Sequence, residues 1–236
     1  MYQRYQIPFK YDKHKDLTFS VEKEGEQFIY RRQCRDEEIE KILAMDQGEI
    51  IVNPIEPLTK PKELTPYFLI KLDRNLMIEP RATKTIFLTF PIEIGVYIFS
   101  KEEFKSLDSF TFVKPKFTLY GDPRQGVICK YWKSDVYLSI PNTDPFQEGI
   151  MKLKIINNHT DWVEITKAVF NAYGMKIYYN DRMVSMKAVM RIRSGAIADT
   201  DFRDSPIEEG MTNALEIYTA RRLSITSQEF VMEFGL

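Results

Sequence analysis

The chain has 236 residues, with 33 lysines and arginines against 34 aspartates and glutamates, 44% hydrophobic residues, 13% aromatics and two cysteines. That composition excludes a disordered tail, a collagen-like chain and a bilayer protein, and it suffices for a packed core. The balanced charge removes any strong global pull toward nucleic acid or an anionic membrane, and Cys34 and Cys129, far apart, form no disulfide framework, which points to a reducing cytoplasm.

Met1 to Lys15 carries Arg4, Lys10, Asp12, Lys13 and Lys15 without an apolar run, so no secretory signal peptide is expected there. Thr18 to Glu22 and Gln27 to Gln33 flank Lys23-Glu24-Gly25-Glu26 and read as a hairpin. Asp36 to Met45 places Ile39, Ile42 and Leu43 at helical spacing behind acidic first-turn residues, which predicts a short helix. Asn53 to Pro66 is punctuated by Pro54, Pro57, Pro61 and Pro66; proline fixes φ near the polyproline II value, so this segment reads as an extended crossover between sheets. From Tyr67 to Asp73 the residues Phe68, Ile70 and Leu72 form one face, with Lys71 and Asp73 on the other, as in a half-buried strand. Ile86, Leu88 and Phe90 alternate with Thr85 and Thr89. The apolar stretch from Ile86 to Phe99 is broken by Pro91, Glu93 and Gly95 and falls short of the roughly 20 residues a bilayer helix needs, so no membrane span is expected. Lys101 to Leu107 predicts a further helical turn or two.

In the second half, Lys116 to Tyr120 and Val127 to Lys133 flank the turn residues Gly121 to Gly126 and form a second predicted hairpin. Val136, Leu138 and Ile140 suggest a strand around Ser139. Ile150 to Asn157 and Trp162 to Asn171 read as the paired strands of an immunoglobulin-like unit; the sequon Asn158-His159-Thr160 between them carries no weight without export. Asn180-Asp181 turns Met175 to Tyr179 into the run from Met183 to Arg193. In that run Val184, Met186, Ala188, Met190 and Ile192 alternate with Ser185, Lys187, Arg191 and Arg193, and a one-residue slip would bury the charges. Short strands without βαβ alternation predict an all-β, antiparallel β-sandwich architecture, immunoglobulin-like, with one or two short helices. The break near Lys101 to Asp108 divides it into two sandwiches, residues 1–108 and 109–236.

Chemical motifs are sparse. His14 and His159 have no partner at useful spacing, and Cys34 and Cys129 lack the closely spaced pairs of a zinc site, so neither a metal nor a cofactor is expected. Nor does the chain contain a glycine-rich phosphate cradle or a G-x-S-x-G elbow. Glu56, Glu93 and Asp122 are the carboxylates set in apolar or turn-rich contexts, the pattern a paired-acid hydrolase would use. The densest basic and aromatic cluster is Lys114-Pro115-Lys116-Phe117-Thr118-Leu119-Tyr120 with Arg124, Lys130, Tyr131, Trp132 and Lys133 across the predicted hairpin. Its cations suit phosphates and Trp132 offers a stacking plane, so Lys114, Lys116, Arg124, Lys130 and Trp132 are the candidate ligand-binding residues. Arg191, Arg193, Arg221 and Arg222 form other basic pairs, interleaved with Asp199, Asp201, Asp204, Glu208 and Glu209, which points to mutual neutralisation.

Four strings are distinctive: Asn53-Pro54-Ile55-Glu56-Pro57, then Leu88 to Tyr97, then Val113 to Gly121, then the closing Phe230-Val231-Met232-Glu233-Phe234-Gly235-Leu236. Together they resemble an uncharacterised archaeal family, domain of unknown function 432, over nearly the whole chain. The resemblance implies an archaeal, cytoplasmic protein and carries over no activity and no functional residues. The expected function is therefore a non-enzymatic binding or interaction module, with a carboxylate-based, carbohydrate-active or other hydrolase as the alternative. A protein partner, a homodimer through open strand edges, and a nucleic acid or other anionic ligand are the partners this reading admits.

Overall fold

The computed structural model of the chain describes residues 1–216 and 229–236. Its period-two runs become strands: β1 (Gln3–Gln6), β2 (Phe9–His14), β3 (Leu17–Glu24), β4 (Gln27–Cys34), β5 (Glu37–Leu43), β6 (Glu49–Ile55), β7 (Tyr67–Ile78), β8 (Thr83–Pro91), β9 (Glu93–Ser100), β10 (Glu103–Phe110), β11 (Phe117–Tyr120), β12 (Val127–Ser134), β13 (Glu148–Asn157), β14 (Val163–Asn171), β15 (Tyr178–Tyr179), β16 (Val184–Ile192), β17 (Ala198–Arg203), β18 (Thr212–Asn213) and β19 (Phe230–Met232). The fold is all-β, of largely antiparallel sheets in sandwich layers. Among the described residues, helical structure is confined to one 3-10 turn at Ala172–Gly174.

Both predicted helices are strands. In β5 the Cys34↔Glu37 register sets Ile39 opposite Arg32 and Leu43 opposite Phe28 across a turn in which Arg35 takes a φ of 53°. Leu43 is buried while Ile42 is 63% exposed, so the helical spacing did not mark a buried face and the hairpin ladder decided the conformation. The segment 101–107 likewise turns at Lys101 and Glu102, both with positive φ, and enters β10. Around Ser139 no strand forms; Tyr137 makes an isolated bridge to Phe87, and Leu138 is 85% exposed.

The chain divides into two compact units, one of residues 1–53 with 94–112 and the other of 54–93 with 113–236. That division differs from a single break after residue 108, because 54–93, carrying β7 and β8, belongs with the C-terminal residues. The first unit holds the sheets β1-β6-β9-β10 and β2-β3-β4-β5. Phe19, Val21, Tyr30, Ile50, Val52, Val96 and Phe110 are buried in it, each large side chain contributing about 1.5–3 kcal/mol. A polar link joins its sheets: Asp108 Oδ2 accepts from the Tyr30 hydroxyl at 2.9 Å and from Arg32 Nε at 2.5 Å. Among the described residues Arg32 Nη2 has no hydrogen-bond partner, but the guanidinium lies over the Phe110 ring at 4.8 Å, where the π face supplies a weaker electrostatic partner.

The second unit holds the sheet β11-β12-β7-β14 and a larger one ordered β18-β15-β16-β13-β8, with β17 on β16 and β19 on β17. The alternation read from Met183 to Arg193 survives: Val184, Met186, Ala188, Met190 and Ile192 are buried while Lys187 and Arg191 are half-buried. The turn before it holds because Asn180 Oδ1 accepts from the Arg182 and Met183 amides at 2.9 Å. Two pairings, β7 with β12 and β13 with β16, are parallel. The expected β13–β14 pair does not form: β13 lies between β8 and β16, while β14 pairs with β7. Alternation specifies which face is buried but not which strand lies alongside, so this crossing between sheets left no mark in the local pattern. Across the sandwich, Ser134 Oγ accepts from the Thr89 amide at 2.8 Å and Trp132 Nε1 donates to Thr89 Oγ1 at 3.1 Å, tying β12 to β8.

Candidate functional site

In the sheet β11-β12-β7-β14, Lys133 on β12 is registered with Lys71 on β7, and Lys71 is registered with Lys167 on β14. Side chains opposite one another in register share a face, so three lysines stand abreast across three strands. Asp73, two residues along β7 and thus on the same face, forms an ion pair with Lys133. Lys71 and Lys167 have no carboxylate within ion-pair distance among the described residues, although both are half-buried. Burial and then the neighbouring Lys71 charge hold Lys167 below the ordinary lysine pKa.

Lys71 and Lys167 both line a concavity of about 540 Å³. Leu69, Lys71, Lys167, Tyr131 and Thr118 line its sheet side, while the turn at Gly121-Asp122 and the Phe234 ring complete its edge. The C-terminal segment is locked there through Tyr120, whose hydroxyl accepts from the Phe234 amide at 3.0 Å and donates to the Gly235 carbonyl at 3.1 Å. Burial pushes the Tyr120 phenol up to about 12, so it stays protonated and keeps donating. Lys167 Nζ lies 5.7 Å from the Tyr120 ring centroid, a cation–π distance. Gly121 has a φ of +98°, and a Cβ there would sit 2.6 Å from the Phe234 ring, so the wall closes only over glycine.

The residues singled out from the sequence do not converge. Lys114 and Lys116 are exposed ahead of β11, and Arg124 is exposed in the turn, where its backbone amide donates to Asp122 Oδ1 at 2.8 Å. Lys130, read as a ligand-facing cation, is 4% exposed: its Nζ lies 2.7 Å from Glu93 Oε1 and 2.9 Å from the Lys60 carbonyl. Trp132, on the same face as Lys130, is half-buried and bonded to Thr89, while the Tyr120 and Tyr131 rings belong to the opposite face. Strand alternation thus splits the basic aromatic hairpin, and its lysine-facing side depends on β7 and β14, strands remote in sequence.

The candidate acids are occupied in different ways. Glu93 also accepts from the amides of Thr59 at 2.8 Å and Lys60 at 3.1 Å; burial raises its pKa, and Lys130 with these donors opposes that rise. Asp122 Oδ1 accepts from the amides of Arg124 and Gln125, which closes its own turn. Glu56 is 2% exposed. His159 Nδ1 accepts from the Asp161 amide within a turn, and His14 packs its ring 5.0 Å from Phe112. Cys34 and Cys129 are free and buried, and burial pushes the Cys129 thiol up to about 12, far from a reactive thiolate. Among the described residues no group of three or more His, Cys, Asp or Glu is placed to hold a metal ion. Arg191 pairs with Glu229 at 3.4 Å and Arg193 with Asp199, whereas Arg221 and Arg222 lie outside the described residues. No helix among the described residues is long and apolar enough to cross a membrane.

A family model described as a protein of unknown function (DUF432) matches residues 1–233. No curated protein and no solved structure matches the chain.

Proposed function

The chain belongs to the DUF432 family, and from that premise we propose that it is a non-enzymatic binding module that takes an anionic ligand on the lysine-bearing face of the sheet β11-β12-β7-β14. The observation that carries the reading is the Lys71–Lys167 pair, two cations side by side in a concavity with no carboxylate within ion-pair distance among the described residues, the Asp122 carboxylate at its edge accepting from the amides of its own turn. Like charges directly opposite on a sheet oppose folding, and an anion converts that repulsion into two charge-assisted hydrogen bonds. Lys114, Lys116 and Arg124 on the adjoining hairpin add long-range attraction, which is strongest at low salt. The test is a titration of the isotope-labelled protein with inorganic phosphate, followed by amide chemical shifts. Shifts concentrated at Lys71, Thr118, Tyr131 and Lys167 that shrink as potassium chloride is added support the reading. Shifts spread evenly over the surface, or indifferent to salt, remove it.

A second reading, association with another copy of this chain, draws on the other face of the same hairpin. There Phe117, Leu119 and Ile128 are exposed in one row, and β11 is the outer strand of its sheet. Unpaired backbone beside an apolar row favours edge-to-edge pairing. Sedimentation velocity over a range of concentrations tests it: a dimer that dissociates on Leu119→Lys supports this reading, and a monomer throughout removes it.

A further inference from the structure

We propose that the ligand of the Lys71–Lys167 concavity is a small phosphomonoester, a single compact dianion carried on a ring-bearing organic body. This deepens the anion reading and rests on it. A monoanion between Lys71 and Lys167 leaves one positive charge uncompensated, and the two residues are registered opposite one another, line the same concavity and feel each other's charge, so they serve one volume rather than two separated sites. A phosphate monoester fits that demand. It carries close to two negative charges at neutral pH on three terminal oxygens, enough acceptors for both lysines and for the further hydroxyls of Thr118 and Tyr131 that line the same concavity.

The third lysine of the row sharpens the charge count. Lys133 is registered with Lys71 just as Lys167 is, yet it is held by Asp73. The row therefore offers two unneutralised cations, which suits one dianion rather than a run of phosphates. Extent points the same way: about 540 Å³ lies within the range of small-molecule sites, and the concavity is closed on one side by Phe234 and the Gly121 turn. Phe234 and Tyr131 supply aromatic surface beside the cations, suited to a flat or apolar group attached to the phosphate.

The experiment is isothermal titration of the full chain at low salt with three probes, phenyl phosphate, inorganic phosphate and benzoate. Phenyl phosphate is expected to bind tightest, about tenfold above benzoate for the extra charge-assisted contact, with inorganic phosphate between them. Its affinity should fall as the pH is lowered through about 6, where the monoester takes up a proton, with no matching change in the benzoate isotherm. Either Lys71→Met or Lys167→Met should reduce phenyl phosphate to the level of benzoate, while Lys167→Arg keeps most of the binding. If benzoate binds as well as phenyl phosphate, the dianion assignment falls and the anion site stands. If no probe binds the wild-type chain, both fall. Phenyl phosphate affinity unchanged in Lys71→Met and Lys167→Met would place the binding elsewhere and overturn the proposal.

Discussion

Lys130 and Lys167 are two lysines of one sheet put to opposite uses by the groups around them. Lys130 is sealed against Glu93, so removing one partner strands the other charge away from water. Lys130→Met is expected to cost about 3–5 kcal/mol in urea unfolding, and Glu93→Gln less, because the amide oxygen still accepts from Thr59 and Lys60. The double variant should cost less than the sum, with a coupling of about 0.5–3 kcal/mol; strict additivity would mean that the pair does not interact. Lys167 behaves in the reverse sense, since Lys71 stands opposite it and no carboxylate lies within ion-pair distance of it among the described residues. Lys167→Met should leave the fold intact or stabilise it by about 0.2–1 kcal/mol while weakening phenyl phosphate binding to the level of benzoate. Because the folded-state pKa of Lys167 is held below that of the unfolded chain, the unfolded chain binds more protons between the two values. The cost of this group is therefore fully present below the folded pKa and is lost as the pH rises through that window. Lys71, Tyr120, Tyr131, Asp122 and Glu233 are the ionisable groups on neighbouring elements, so the comparison is best made between wild type and Lys167→Met. Thermal unfolding of wild type should gain on the variant as the pH is raised toward the ordinary lysine pKa; parallel pH profiles would contradict this assignment.

At the scale of elements, the β11–β12 hairpin is one structure with two unlike faces. One face lies toward β8 through Trp132 and Thr89, and the other carries Tyr120, Thr118 and Tyr131 toward the C-terminal segment. The turn between the strands is what allows Phe234 to close the concavity. Gly121→Ala places a Cβ at positive φ and into the Phe234 ring, so it should cost about 1–2 kcal/mol of stability from the backbone alone and displace the wall. Phenyl phosphate affinity is expected to fall with it; a variant with unchanged affinity would show that Phe234 takes no part in binding. The hairpin itself was legible, because turn residues between two β-rich runs are a local signal, whereas the alliance of its Tyr131 with Lys71 and Lys167 was not. Register between strands whose paired residues lie 62 positions apart (Lys71 and Lys133) and 96 apart (Lys71 and Lys167) leaves no periodic trace.

For the whole molecule, the two-part division matters because it is discontinuous. Residues 54–93 supply β7, which lies between β12 and β14, and β8, which pairs with β13. A fragment of residues 109–236 would therefore lack the strand that joins β12 to β14 and half of the anion site. It should fail to fold, showing poorly dispersed amide resonances, whereas a fragment covering 54–236 keeps every strand of the second unit and carries β9 and β10 of the first unit along with them. A well-dispersed, cooperatively unfolding 109–236 fragment would contradict this account.

The sequence alone determined the all-β character, the hairpins at Gly25, at Gly121 to Gly126 and at Asn180, and the buried face of β16. Each of these rests on alternation or turn chemistry within about a dozen residues. Tertiary structure decided that Asp36 to Met45 holds the edge strand β5 (Glu37–Leu43) instead of a helix, that β13 and β14 lie in different sheets, and that Lys130 is buried on Glu93 while Lys71 and Lys167 face each other. These outcomes depend on which distant strand lies alongside. A lysine on an alternating strand reads the same whether the neighbouring strand presents a carboxylate, a second lysine or open water, and only the folded sheet supplies that neighbour.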